Sequence, residues 1–318
     1  MSKPVIVVAG PTASGKSALA LALAEELPGT VINADSMQVY RELAVLTARP
    51  TETEMARAPH RLYGVLSVAE ACSAMRWREL ALAEIAASHA AGRVPILTGG
   101  TGLYLNALMH GLSTIPDIPE ATRRAARAHM EVLGPAAFHA ELAARDPAMG
   151  VRLRASDRQR MIRAWEVLEA TGRSLADWQG EAPVAGHDLR FLVLLLLPPR
   201  AVLHDASDAR LWRMIGAGAL AELKALLALQ LDPALPALKA VGVPELTAHL
   251  EGELSLADAV AQAQAATRRY IKRQTTWFRH QLDPGEGGEV VTLAAQFSNP
   301  LLAEIFPKIR QFVLTHLG

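Results

Sequence analysis

The chain has 318 residues, 51% of them hydrophobic, with 32 basic side chains balanced by 32 acidic ones and a single cysteine. That length holds one large domain or two modest ones, and the lone Cys72 excludes an intrachain disulfide or a thiolate zinc cluster, leaving a free core thiol as the expectation. The apolar run at 191–197 is much too short to cross a bilayer, and the apolar stretch at 4–9 leads straight into Gly10-Pro11 rather than into a cleavage site, so a soluble cytoplasmic protein with no membrane partner is expected.

Residues 5–9 (VIVVA), 30–34 and 94–98 read as short strands, each beside a helical stretch, and 190–197 reads as a fourth strand stopped by Pro198-Pro199. Strands alternating with helices imply an α/β fold, a parallel sheet flanked by helices. Between the third and fourth strands no strand signal occurs. That region opens with STIPDIPEATRR, closes with QGEAPVAGHD and reads as alanine-rich helices. The expected organisation is a phosphate-loop core at 1–112 and 189–318, ending in C-terminal helices, with a helical insertion at 113–188.

The first strand runs into GPTASGKS. Gly10, Gly15, Lys16 and Ser17 fit G-x-x-x-x-G-K-[ST] between a strand and a helix, where backbone amides face anionic oxygens, Lys16 reaches the terminal phosphates and Ser17 can ligate Mg²⁺. Many hydrolysing phosphate-loop enzymes place a metal-holding aspartate at the end of a strand. Here the strand at 94–98 ends in Thr98-Gly99-Gly100-Thr101, which weakens an ATPase or GTPase reading. The acid in a suitable place is Asp35, just past the second strand, and in an open parallel sheet it should face the same crevice as Thr101. A carboxylate there can hold metal, orient water or accept a proton; an Asx turn or helix cap is the bland alternative.

Charge is balanced overall but polarised locally. RLRASDRQRMIRAWEV and TRRYIKRQTTWFRH are arginine-rich, the latter without an acid, and such runs are either a polyanion-binding surface or a solvated face.

The ordered set GPTASGKS, DSMQVYR, ARP followed by PHRL, GGTGLY, DRQRMIRAWEV and RRYIKRQTTWFR resembles the bacterial tRNA dimethylallyltransferases, or isopentenyltransferases, from Val5 to about Arg279. The resemblance implies transfer of a dimethylallyl group from dimethylallyl diphosphate to the N6 amine of the adenosine 3′ to a tRNA anticodon, position 37, with Mg²⁺. It implies a diphosphate cradle of Gly10, Thr12, Ala13, Ser14, Gly15, Lys16 and Ser17 with Arg210, Ser17 facing the metal, and catalysis by Asp35 as base with Thr101 and Lys16. It implies tRNA contacts from Asp35, Ser36, Met37, Gln38, Thr101, Arg123, Gln159, Arg160, Met161, Ile162, Arg163, Arg269, Lys272 and Arg273. The partner would be the tRNA anticodon stem-loop, and a monomer is expected. Two departures stand out: Leu46 and Arg49 in LTARP, where the family commonly has glycine and lysine, and Ala206 where a second arginine often precedes Arg210. Rival readings are an adenylate isopentenyltransferase acting on free nucleotide, a small-molecule kinase, and a nucleotide-gated RNA-binding protein without chemistry. Trp277 and Phe278 are expected in helix packing, and His60 in a structural role.

Overall fold

The computed structural model describes residues 2–113, 115–181 and 185–317. Two compact units emerge: one built from Met1–Met109 with Gly186–Gly318, the other from His110–Ala185.

The first unit is wound in sequence as β1 (Lys3–Ala9), α1 (Lys16–Glu26), β2 (Gly29–Asn33), α2 (Glu52–Arg57), β3 (His60–Arg61), α3 (Ala74–Ala90), β4 (Val94–Gly99) and α4 (Gly102–His110). The second unit carries α5 (Glu120–Arg145), α6 (Pro147–Arg152), α7 (Arg158–Thr171) and α8 (Leu175–Gly180). The chain then returns to the first through β5 (Leu189–Leu196), α9 (Arg200–Gly216), α10 (Ala219–Leu227), α11 (Val243–Leu250), α12 (Leu256–Gln281), β6 (Glu289–Leu293) and α13 (Asn299–Leu317). No described helix is long and apolar enough to cross a membrane.

All six strands pair in parallel, in the order β3-β2-β4-β1-β5-β6. The four inner strands are those the sequence predicts; the edges β3 and β6 are additional. β3 is two residues long and β6 is largely exposed, so neither carries the unbroken apolar run that marks a strand covered on both faces.

The period of two divides the central strands between two cores even where every residue is buried. Val5, Val7, Phe191, Val193 and Leu195 join α3, α4 and α10–α12, whereas Ile6, Val8, Leu192, Leu194 and Leu196 join Leu19 and Leu23 of α1 and Ile305 and Ile309 of α13. Each fully buried aliphatic side chain contributes roughly 1.5–3 kcal/mol, so these layers hold the carboxyl ends of β1, β2 and β4 rigidly side by side. Trp77 of α3, fully buried, stacks on Tyr104 of α4 with ring centroids 4.5 Å apart and donates its indole N–H to the Asn33 carbonyl, 2.9 Å, at the end of β2. Phe278 is buried and Trp277 packs against the same core, as expected. Cys72 is a free thiol but only partly buried, because it lies in the loop before α3 rather than in the core.

The second unit has its own core of Met130, Phe138, Leu142, Met161 and Trp165. α5 breaks at Gly134, φ 72°, immediately before Pro135. Buried Asp146 accepts from the Met149 amide at 3.0 Å and from Ser174 Oγ, tying the starts of α6 and α8 together.

Candidate active site

The loop between β1 and α1 has little freedom. A side chain on Gly10 would lie 2.6 Å from the Leu196 carbonyl oxygen, and Gly15, at φ 88°, caps α1 without a side-chain partner. The N–H groups of Lys16, Ser17 and Ala18 open the helix and have no acceptor within it, which makes this end an anion site. Ser17 is exposed there and Lys16 is half-buried. Ala13 is held at φ 66°, a left-handed conformation costing an alanine about 1–2 kcal/mol, and its carbonyl accepts from the Gln296 side chain at 2.8 Å. Two expected diphosphate contacts are narrowed. The Thr12 amide is already spent on the Gln274 side chain at 2.9 Å, leaving only its hydroxyl for a ligand. Ser14 is fully buried, its Oγ tucked against Gly10 and without a partner in the protein.

Past β2, buried Asn33 shapes the next turn: its side chain accepts from the Asp35 amide at 2.8 Å and donates to the Asp35 and Leu62 carbonyls, both at 3.0 Å. Asp35 Oδ1 in turn accepts from the Met37 amide at 2.9 Å. The Asx turn is therefore real, and it leaves the second carboxylate oxygen for chemistry. From β4, Thr101 Oγ1 accepts from the Ser36 amide at 3.0 Å and donates to Ser36 Oγ at 3.3 Å. The glycines before it permit this approach, since a side chain on Gly99 would overlap the Ala34 backbone. Met37 packs partly against the core, and the Gln38 side-chain Nε2 donates to the Thr47 and Ala48 carbonyls at 2.9 and 3.0 Å.

Electrostatics join these pieces. Burial lowers Lys16 to about 8, with the Asp35 carboxylate acting against the shift and the Arg210 guanidinium with it. Burial also lowers Arg210 of α9, again against Asp35. The phenols of Tyr63 and Tyr270 are pushed up by burial first and by Asp35 next. Lys16, Arg210 and Asp35 thus share one neighbourhood at the carboxyl ends of the strands. Burial that disfavours the cations is tolerated where an anion is to be received.

Among the described residues no cluster of three or more His, Cys, Asp or Glu side chains could hold a metal ion. A Mg²⁺ ion, where one is bound, commonly takes substrate phosphates, water and one or two protein oxygens as ligands. The exposed Ser17 hydroxyl at the loop end is the donor that fits.

On α12, Arg269, Lys272 and Arg273 are exposed at i, i+3 and i+4, while Ile271, Gln274 and Phe278 form the buried face. Within the second unit, Gln159 and Arg160 are exposed, Ile162 and Arg163 half-buried, and Arg163 lies 3.4 Å from Glu166. Met161 points into that unit's core with no exposed surface, so it supports α7 and presents nothing to a ligand. Arg123, in the first turn of α5, keeps a buried Nε without a hydrogen-bond partner.

The model of the family described as IPP transferase matches residues 38–281. The chain is 58% identical to a tRNA dimethylallyltransferase of Rhodospirillum centenum, over 90% of this chain and 93% of that one, and 55% identical to its Rhodospirillum rubrum counterpart, over 99% and 96%. The chain belongs to the IPP transferase family. Its fold is similar to a tRNA isopentenylpyrophosphate transferase from Bacillus halodurans, with TM-score 0.69, 31% identity, and 99% and 98% of the two chains covered. It is also similar to a eukaryotic dimethylallyltransferase acting on tRNA, with TM-score 0.76 and 27% identity, covering 97% of this chain and 80% of the other.

Three side chains that shape this IPP transferase site escape sequence reasoning. Gln274 and Gln296, both near the C-terminal end of the chain, hold the phosphate loop near its start. Glu222 of α10 accepts from the successive amides of Ala44, Val45 and Leu46 at 2.7, 2.8 and 2.9 Å, filling a backbone nest with a carboxylate. Leu46 is therefore accommodated where the family commonly has glycine, its side chain buried and its amide bound. Arg49 donates to the Tyr40 and Arg41 carbonyls at 3.2 Å and so closes this loop instead of reaching into the crevice.

Proposed function

We propose that this chain transfers the dimethylallyl group of dimethylallyl diphosphate to the exocyclic N6 amine of the adenosine 3′ to the anticodon in tRNA, acting as a cytoplasmic monomer. The observation that carries the reading is the convergence of Lys16 and Arg210 on Asp35 at a phosphate loop that opens a helix.

The C1–O bond of the donor breaks and its electron pair leaves with the diphosphate. Charge develops on that leaving group, so the amides opening α1, Lys16 and Arg210 lower the barrier where it is highest. Mg²⁺ bound with the diphosphate would neutralise further charge, with the Ser17 hydroxyl as its protein ligand. The adenine amine attacks C1 with its lone pair and passes a proton to Asp35, whose carboxylate is fixed by the Met37 amide and carried on the turn that Thr101 buttresses. A positioned base of this kind contributes typically ~10²–10⁴-fold. The target base must leave its stack to reach the crevice, where the Gln38 Oε1, not engaged by the Nε2 bonds to Thr47 and Ala48, would receive it. Cationic faces on α12 and on α7 supply phosphate contacts for the stem-loop.

Diphosphate release assayed with each substrate omitted in turn tests the reading. Release that requires both prenyl diphosphate and tRNA supports it. ATP turnover without tRNA would replace it with a kinase.

A further inference from the structure

Gln274 lies on the inner face of α12, 5% exposed, directly beside the exposed Arg273. Its Oε1 accepts from the Thr12 amide at 2.9 Å and its Nε2 donates to the Gly100 carbonyl at 2.9 Å. One primary amide thus joins three segments far apart in sequence: the phosphate loop after β1, the glycine turn after β4 and the C-terminal helix. The pairing sets the amide's orientation, because a flipped group would put N–H against N–H and oxygen against oxygen. The fit is tight as well, since any side chain at Gly100 would overlap Nε2.

We infer that Gln274 is a positioning residue for the transfer, holding the diphosphate-binding loop at a fixed distance from the turn that presents Thr101. This inference rests on reading the crevice as a prenyl-transfer site. Thr101 fixes Ser36, and Ser36 adjoins Asp35, so the bridge from Thr12 through Gln274 to Gly100 sets where the leaving group sits relative to the base. The bond to Gly100 is buried and the one from Thr12 partly so, and the buried Gly100 carbonyl loses its donor when the amide is removed. A displacement of about 1 Å between reacting groups is enough to cost about 10²-fold in rate.

The complementarity is chemical, and that makes it separable from mere packing. Glutamate has the same shape as glutamine and keeps an acceptor for the Thr12 amide, but its ionised form turns an oxygen toward the Gly100 carbonyl. Protonated glutamic acid restores a donor there. Burial raises a carboxyl's pKa, so the restoring proton is taken up within an accessible pH range.

The test compares wild type, Gln274→Glu and Gln274→Met. Thermal unfolding first identifies the folded variants; prenyl transfer to tRNA is then followed from about pH 6 to 8.5, and Mg²⁺-diphosphate binding is measured by calorimetry. Expected for Gln274→Glu at high pH is a fall in kcat/KM for the prenyl donor of roughly 10–100-fold with KM for tRNA unchanged. As pH falls, its activity relative to wild type should recover by up to about tenfold per unit, whereas Gln274→Met should stay low throughout. A Gln274→Glu to wild-type ratio flat with pH, or losses shared equally by both substrates, overturns the inference. If neither variant folds, amide hydrogen exchange on the wild-type protein decides: the Thr12 amide should be protected without ligand, and exchange there as fast as at Lys16 or Ser17 removes the bridge. If wild type fails to modify tRNA yet the Thr12 amide is protected and diphosphate binding keeps the pH signature, the functional reading falls and the bridge stands.

Discussion

Lys16 couples diphosphate binding to proton uptake. In the free protein burial holds it at about 8, so at pH 8 it carries about half a proton; a bound diphosphate favours the charged form and fills it. Diphosphate binding should therefore draw onto Lys16 about 0.1 proton at pH 7, about 0.5 at pH 8 and about 0.75 at pH 8.5. Calorimetry of diphosphate binding in buffers of equal pH and different ionisation enthalpy reads the total, and the same titration of Lys16→Met subtracts the ligand's own protons. As pH rises through about 8 the free lysine loses its charge, so affinity should weaken by up to about tenfold per unit. The stability consequence has the opposite sign. A lysine lowered in the folded state binds fewer protons there than when unfolded between about pH 8 and 10.5, so its contribution makes the free protein more stable as pH rises across that window. Equal proton uptake by wild type and Lys16→Met at pH 8 would refute the argument.

Asp35→Asn keeps an oxygen to accept from the Met37 amide while removing the base, so turnover should fall ~10²–10⁴-fold with tRNA affinity retained; near-normal single-turnover rates would move the base elsewhere. Replacing Arg160 and Arg163 by glutamine should weaken tRNA and reduce the slope of log affinity against log salt by about one for each lost phosphate contact, and an unchanged slope returns them to a solvated face. Glu222→Ala strands the Ala44, Val45 and Leu46 amides and should lower stability by about 1–3 kcal/mol, read in denaturant unfolding; a midpoint within error of wild type would mean that water replaces the carboxylate without loss.

The sequence made the inner sheet and the phosphate loop readable because their causes are local. An unbroken apolar run bounded by glycine or proline marks a covered strand, and G-x-x-x-x-G-K-[ST] between strand and helix marks an anion site. The position of Asp35 was legible for the same reason, two residues past a strand that must end at the crevice. What stayed hidden is what depends on long-range geometry. Gln274 reads as one more polar residue in a basic helix, yet it meets Thr12 across 262 positions. Glu222 looks like a solvated helix acid until the turn 178 positions earlier closes on it. Met161 sits inside an arginine-rich motif, but helical period turns it inward while Gln159 and Arg160 face out. β6 is an exposed edge beyond a glycine-rich turn, where alternation is too brief to stand apart from a loop.

The acceptor that receives the prenyl group decides the function. Unmodified tRNA, AMP and ATP should be incubated separately with the protein, dimethylallyl diphosphate and Mg²⁺, and each digested and weighed by nucleoside mass spectrometry. The proposal predicts a dimethylallyl mass gain on adenosine from the anticodon loop of tRNA alone. A gain on free nucleotide, or none on any acceptor, would contradict it.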